Sequence, residues 1–276
     1  MLTITSEQKR AIKSLVRRGN TYYRRMADAG AMVRGRLLNV APISITYRGA
    51  YESYAQAISA VPASKLPGYN HEDIAETSFD FMCRLAPWDY PVLYWLNRLL
   101  GDNGGHILDA GGHMGTKYRA FSGYIDFGPD VTWTVYDLPE IIKAGRRKAA
   151  EDHLDALTFI DAPGEAGHVD ILLASGLLQY LDISFTDLIG QLRHKPPSII
   201  INKLAVRDGD MVVTLENFGP ALVPYQIRCR DDFFAEIRAL GYRVVDEWQN
   251  PTLAHVIPTH PELGPSTSLG LVLELA

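Results

Sequence analysis

The chain has 276 residues, 47% of them hydrophobic and 21% charged, with a formal net charge of −5 at pH 7. That is an ordinary globular composition, sufficient for one main core with an appendage. Cys83 and Cys229 are its only cysteines, and they have neither metal-ligand spacing nor the pattern of a disulfide framework. No apolar run approaches the roughly 18 residues of a membrane span, and charges interrupt the first residues from Lys9 onward, unlike a secretion signal; a cytoplasmic protein is expected.

Charge is uneven along the chain. Nine Lys/Arg and two acids up to Arg36 give this arm +7, and the remainder carries −12. A basic arm on an acidic body suits an anionic partner or a solvated helix face. The acidic body, and the lack of an Asn/Asp-Pro-Pro-Tyr/Phe motif, exclude a nucleic-acid substrate. Thr5 or Ser6 can cap a helix with Ile12, Leu15 and Val16 on one side, and a second helix carries Tyr22, Tyr23 and Met26. Residues 40–70, rich in Pro and Gly, read as irregular, and residues 71–85 as helical. A helix beginning after Asp89 runs to Leu100, with Leu93, Leu96, Leu99 and Leu100 on its apolar side.

From there strands and helices alternate. Residues 106–110, 131–137, 156–161, 169–175 and 198–206 read as strands, and the apolar continuity of 169–175 places it centrally, covered on both faces. Helices follow over 116 onward, 138–151 and 184–193; residues 207–229 look less regular. A helix over 231–241 and a pair of strands, 242–248 and 269–276, close the chain. This alternation predicts an α/β fold with a mostly parallel sheet.

The first of these strands ends Leu108-Asp109-Ala110-Gly111-Gly112-His113-Met114-Gly115. A strand, a glycine turn and a helix make a nucleotide-binding corner, where glycine lets the backbone approach a ligand closely. Asp137, at the tip of the next strand, suits the two hydroxyls of a ribose. Asp109 discriminates between cofactors. A carboxylate at this corner would repel the pyrophosphate of a dinucleotide but suits the ammonium and sulfonium of S-adenosylmethionine. The spacing is Gly-Gly-x-x-Gly, not the Gly-x-Gly-x-x-Gly of dinucleotide sites.

These motifs resemble the Rossmann-like S-adenosylmethionine-dependent methyltransferases. "ILDAGGHMG" looks like their first motif, "VYDLPEII" like the second-strand signature of the small-molecule O-methyltransferases, and "VDILLASGLLQYLD" like their fourth-strand motif, together covering about residues 105–205. The resemblance implies a class I sheet of seven strands, mostly parallel with the last antiparallel. It implies S-adenosylmethionine contacts from Asp109, Gly111, Gly112, Gly115, Asp137, Leu138 and Ser175, with Asp161 of "FIDAP" on the adenine side. Over most of the chain, "YRGAYESYAQA", "LPGYN", "INKLAV", "VTLENFGPALVPYQIRCRDDFF" and "GYRVVDEW" resemble a methyltransferase family associated with bacterial surface-polysaccharide biosynthesis.

One position departs from the pattern. Where plant-type O-methyltransferases place a catalytic histidine, this chain has Gln179, which can hydrogen-bond but cannot take a proton. Tyr180 and Glu216 are the candidates for base or orienting group, with Gln179, Asn202, Lys203, Asn217 and Tyr225 within range. Lys203 reads equally as a solvated strand end. His113, inside the glycine turn, reads as touching the amino-acid end of the cofactor or as facing solvent. The remaining histidines lack metal-ligand spacing, and no metal site is expected. The expected enzyme methylates a hydroxyl of a small molecule or glycan precursor. Residues 1–88 form a helical arm or lid, a candidate homodimer contact, and residues 89–276 form the S-adenosylmethionine-binding domain. The rival readings are a catalytically inactive binding scaffold and a nicotinamide-dependent oxidoreductase.

Overall fold

The computed structural model describes residues 28, 30–36, 45–70, 79–101 and 104–276. The helices expected over residues 5–26, and the dimer contact assigned to them, lie outside the described residues.

Seven strands form the main sheet: β3 (Gly105–Ala110), β4 (Val131–Tyr136), β5 (Leu157–Ile160), β6 (Ile171–Ser175), β7 (Ser198–Arg207), β10 (Tyr242–Gln249) and β11 (Thr267–Leu275). Their spatial order is β5-β4-β3-β6-β7-β11-β10, and the pairs from β5 to β7 are parallel. Only β11 runs against its neighbours, pairing antiparallel with both β7 and β10. A mostly parallel sheet of seven with a reversed final strand is the Rossmann-like class I methyltransferase arrangement expected from the sequence. The order reverses at β3 and β6, which leave the sheet in opposite directions and open a crevice beyond their C-terminal ends.

Alternation along the strands divides the core into two halves. Ile107, Trp133, Val135, Ile171, Leu173 and Ile200 face one side, where α3 (Tyr90–Leu100), α4 (Thr116–Phe121) and α5 (Pro139–Glu151) bring Leu96, Phe121 and Ile142. Leu108, Leu172, Ile199, Ile201 and Leu271 face the other, covered by Phe185 and Leu188 of α6 (Phe185–Gly190) and Phe233 and Ile237 of α7 (Arg230–Ala239). Burial on both faces is why these strands are apolar at every position rather than at every second one. α3 starts with Pro91 in its first turn and stops at Gly101, whose φ of 49° ends the helix.

Two segments read as irregular are structured. Residues 207–229 form a hairpin of β8 (Val212–Asn217) and β9 (Ala221–Cys229), and residues 45–70 contain β1 (Tyr47–Tyr51), α1 (Tyr54–Ser59) and β2 (Leu66–Pro67). β1 pairs with β8, and β2 with β9. The polar and glycine-rich stretches concealed these strands, because their apolar side chains are spread over two distant segments that complete each other only in space. Ala57, Val213, Leu215 and Leu222 form the core of this annex. β9 extends the end of β7 through Val206↔Arg228 and Arg207↔Cys229. The annex thus continues the main sheet beyond the end of β6 and overhangs the crevice. The sheet has eleven strands in all, the seven expected and four more. The segment assigned to an N-terminal arm contributes two of those four. Part of the helix expected over 71–85 is described, as α2 (Phe79–Met82).

Candidate active site

A cavity of about 430 Å³ lies between the C-terminal ends of β3, β4 and β6 and the annex. That is within the range of small-molecule sites. Gly111, His113, Asp137, Leu138, Ser175, Gly176, Gln179, Tyr180 and Lys203 line it from the sheet side, and Tyr47, Glu216, Phe218 and Tyr225 from the annex.

The glycine turn sets the sheet side. Gly111 has φ 71°, a left-handed conformation that side chains rarely adopt, and its N–H donates to the Tyr136 carbonyl at 2.8 Å. Asp137 faces the cavity with two backbone donors upon it: His113 N–H on Oδ2 at 2.8 Å and Leu138 N–H on Oδ1 at 2.7 Å. Each oxygen keeps capacity for another donor. Burial pushes this carboxyl up to about 6, opposed by those two hydrogen bonds.

Not all the residues anticipated for the cofactor reach the cavity. Asp109 is 1% exposed and lies beneath the turn, accepting from Trp133 Nε1 at 3.3 Å. Its carboxyl fills the space where a Cβ on Gly112 would stand, with Oδ2 only 2.6 Å away, so Gly112 is required by Asp109 and not by a ligand. Desolvation pushes Asp109 up to about 7. It supports the turn from below and lines no part of the cavity. Gly115 is the N-cap of α4 against Leu157 and does not open on the cavity. Asp161 follows the edge strand β5, is exposed and lies outside the cavity wall; a carboxylate at a sheet edge remains in water. Phe81, Met82 and Leu138 line the cavity near Asp137 instead. Asn202 lines no part of it, because its amide donates to the Trp88 carbonyl at 3.1 Å.

The annex wall carries a carboxylate among aromatic rings. Glu216 Oε1 accepts from the Tyr47 hydroxyl at 3.2 Å and Oε2 from the Tyr180 hydroxyl at 2.8 Å. Tyr225 packs edge-on against both tyrosines, with ring centroids 5.2 and 5.4 Å apart, and Tyr47 stacks on His255 at 3.9 Å. Desolvation pushes Glu216 above the ordinary carboxylate range, while the two tyrosine hydrogen bonds hold it down. Burial and the neighbouring Glu216 charge push all three tyrosines up, so they donate hydrogen bonds as neutral phenols. Among the described residues Glu216 has no cationic partner.

Several buried polar atoms of cavity-lining residues have no partner among the described residues: Gln179 Oε1, Ser268 Oγ and both ring nitrogens of His113. Buried polar atoms are rarely left unpaired without reason. His113 is 2% exposed and in a left-handed conformation, φ 56°, and burial pushes its pKa down to about 4, so the ring is neutral at pH 7. Of its two readings, contact with the amino-acid end of a cofactor or a ring facing solvent, burial removes the second. Tyr47 and Tyr69 are cavity residues that sequence reasoning missed; nothing in their local pattern distinguishes them from other tyrosines. Among the described residues no group of His, Cys, Asp and Glu could hold a metal, and no helix is long and apolar enough to cross a membrane.

A scan of protein-family models and a search of curated proteins both return no match. Solved structures do resemble the chain. One is a 1,6-didemethyltoxoflavin-N1-methyltransferase from Burkholderia thailandensis with bound 1,6-didemethyltoxoflavin and S-adenosylhomocysteine. It is 17% identical, with a TM-score of 0.48 over 74% of this chain and 87% of the other. A second is the glycopeptide N-methyltransferase MtfA complexed with S-adenosylmethionine, 15% identical, TM-score 0.44, over 67% and 92%. A third is the N-terminal domain of EvdMO1 with S-adenosylhomocysteine bound, 14% identical, TM-score 0.47, over 70% and 83%.

Proposed function

We propose that this chain transfers a methyl group from S-adenosylmethionine to a hydroxyl of a small molecule or glycan precursor. The observation that carries this reading is the sharing of one cavity by the Gly111 turn, the Asp137 carboxylate and an annex carboxylate, Glu216, at the point where the order of a class I sheet reverses. The unpaired Gln179, Ser268 and His113 atoms fit a polar ligand there. Asp137 would accept the ribose hydroxyls, Gly111 would let backbone approach the sulfur-bearing chain, and Leu138 with Met82 would supply an apolar wall for the base. Ser175 would flank the methionine portion.

S-adenosylmethionine supplies a methyl on a positively charged sulfur, which departs as a neutral thioether. The protein therefore has two tasks: to hold the acceptor in line with the methyl, and to remove its proton. Tyr47 and Tyr180 fix the two oxygens of Glu216, so its carboxylate presents a defined direction. Glu216 takes the hydroxyl proton as the new C–O bond forms. Gln179 offers its carbonyl as an acceptor and orients without exchanging a proton. Tyr69, Phe218 and Tyr225 give the acceptor flat apolar surfaces and exclude water from the annex side.

Calorimetric titration with S-adenosylhomocysteine tests the pose. Asp137→Ala should weaken binding by about 1–3 kcal/mol, the scale of charge-assisted hydrogen bonds. Wild-type affinity should also fall as pH drops through about 6, where Asp137 takes up its proton and its capacity to accept declines. Unchanged affinity in a folded Asp137→Ala variant overturns the pose.

A further inference from the structure

Lys203 is the one described non-glycine residue inside a strand of the main sheet with a positive φ, 59°. It sits where the β7–β11 register slips: Leu204 pairs with Leu269, but Ile201 pairs with Leu271, so β7 carries one residue more than its partner. This is a β-bulge, a device that redirects a side chain. Lysine has no preference for the left-handed region, so holding it there strains the backbone. The bulge sends its chain over the end of β6, where Nζ stands 2.9 Å from the position a Cβ on Gly176 would take, with Gln179 Nε2 3.7 Å from the same point. Gly176, itself at φ 83°, leaves that space open.

The ammonium has no hydrogen-bond partner among the described residues. The nearby acids are otherwise occupied. Asp89 accepts from Lys117 Nζ at 2.7 Å and from the Ala86 N–H at 3.1 Å, and Asp109 is bonded to Trp133. Lys203 therefore lines the cavity as a partly buried cation, with Ser175 and Gln179 in the same wall. Desolvation and the neighbouring Lys117 push its pKa down to about 8 against the attraction of Asp89 and Asp109, which still leaves it protonated at pH 7. An ammonium without a hydrogen bond, held in a strained backbone at the cavity wall, matches an anionic ligand group.

We propose that Lys203 is an oxyanion subsite that receives the amino-acid carboxylate of the cofactor. This rests on the S-adenosylmethionine reading above. Asp137 stands at the end of β4, and the Lys203 ammonium lies over the end of β6, two strands away. Two strand spacings are roughly 10 Å, a distance that the extended chain from ribose through sulfur to carboxylate bridges. A helix N-terminus is the alternative holder of a carboxylate. The helix after the glycine turn, α4, has only six residues, its N-cap Gly115 faces away from the cavity, and a full positive charge is available from β7 instead.

Calorimetry with two ligands tests it. S-adenosylhomocysteine carries the carboxylate, and 5′-methylthioadenosine lacks the whole amino-acid end. Lys203→Met should bind S-adenosylhomocysteine roughly 10- to 100-fold more weakly, the range of a charge-assisted hydrogen bond, and methylthioadenosine unchanged. Lys203→Asn guards against a folding defect, because asparagine tolerates the left-handed region. It should keep or raise the melting temperature and still lose S-adenosylhomocysteine affinity, while Lys203→Arg should recover part of it. Variants that bind S-adenosylhomocysteine like the wild type, or lose both ligands equally, overturn the lysine assignment alone. A wild-type chain that binds neither ligand overturns the cofactor reading and this assignment with it.

Discussion

At the residue scale, the chemistry proposed for this cavity turns on Glu216. Its two oxygens are each held by a tyrosine hydroxyl, so direction is fixed, and among the described residues no cation pairs with it to make it a poor base. Gln in its place would keep size and one acceptor but could not carry a proton. With an accepted hydroxyl substrate, Glu216→Gln should lower kcat by about 10²–10⁴, the usual contribution of a general base. S-adenosylhomocysteine affinity should be unchanged, since Asp137, the proposed ribose anchor, belongs to the opposite wall. Undiminished turnover would remove Glu216 from the proton path. Tyr180, the other candidate, then has a positioning role: burial keeps its phenol protonated, and a protonated phenol can donate to Glu216 but cannot itself accept the proton.

At the scale of elements, the proposed cofactor and acceptor halves of the site belong to different structures. The turn after β3 and the tips of β4 and β6 are held by the two-faced core of the main sheet. Glu216, Tyr47 and Tyr225 stand on β8, β1 and β9, which have a small core of their own. Leu215, 1% exposed, is central to that core beside Ala57, Val213 and Leu222. Leu215→Ala should destabilise the annex by about 2–5 kcal/mol, the range for such truncations. Amide exchange should then accelerate across β1, β8 and β9 before it does so in β3, β4 and β6, with S-adenosylhomocysteine affinity close to wild type. Uniform acceleration throughout the chain would show that annex and sheet open as a single unit.

At the scale of the whole molecule, buried carboxyls tie stability to pH. Asp109 has a folded pKa of about 7 against an ordinary 3.8, so the folded state holds its proton more tightly than the unfolded chain. The stability that this group contributes is fully present below 3.8 and is lost as pH rises through about 7. Asp109→Asn keeps an acceptor for Trp133 and removes the charge. Its stability relative to wild type should therefore improve between pH 5 and pH 8, by on the order of 1–3 kcal/mol, read from denaturant melts at both pH values. His113 titrates in both proteins and cancels from the comparison. An equal difference at the two pH values would show that Asp109 stays ionised in the fold.

Much of this molecule was legible in the chain itself. The two-face burial of β6 and β7 writes continuous apolar runs, and the glycines after β3 and the acids Asp109 and Asp137 mark one corner, because these signals are local and are set by neighbours along the chain. Glu216 and Tyr180 could be named as candidates on the same basis. Their meeting could not: Tyr47 and Glu216 are 169 residues apart, and their hydrogen bond exists only once β1 pairs with β8. The annex strands escaped notice because neither segment buries an apolar face without the other. Asp109 and Asp161 looked alike as strand-end acids, yet packing placed one under the turn and left the other in water. Local pattern determined the sheet and the corner; which side chains share the cavity, and which of them remain unpaired, was decided by long-range pairing, since solvent exclusion belongs to the assembled fold and to no single stretch of sequence.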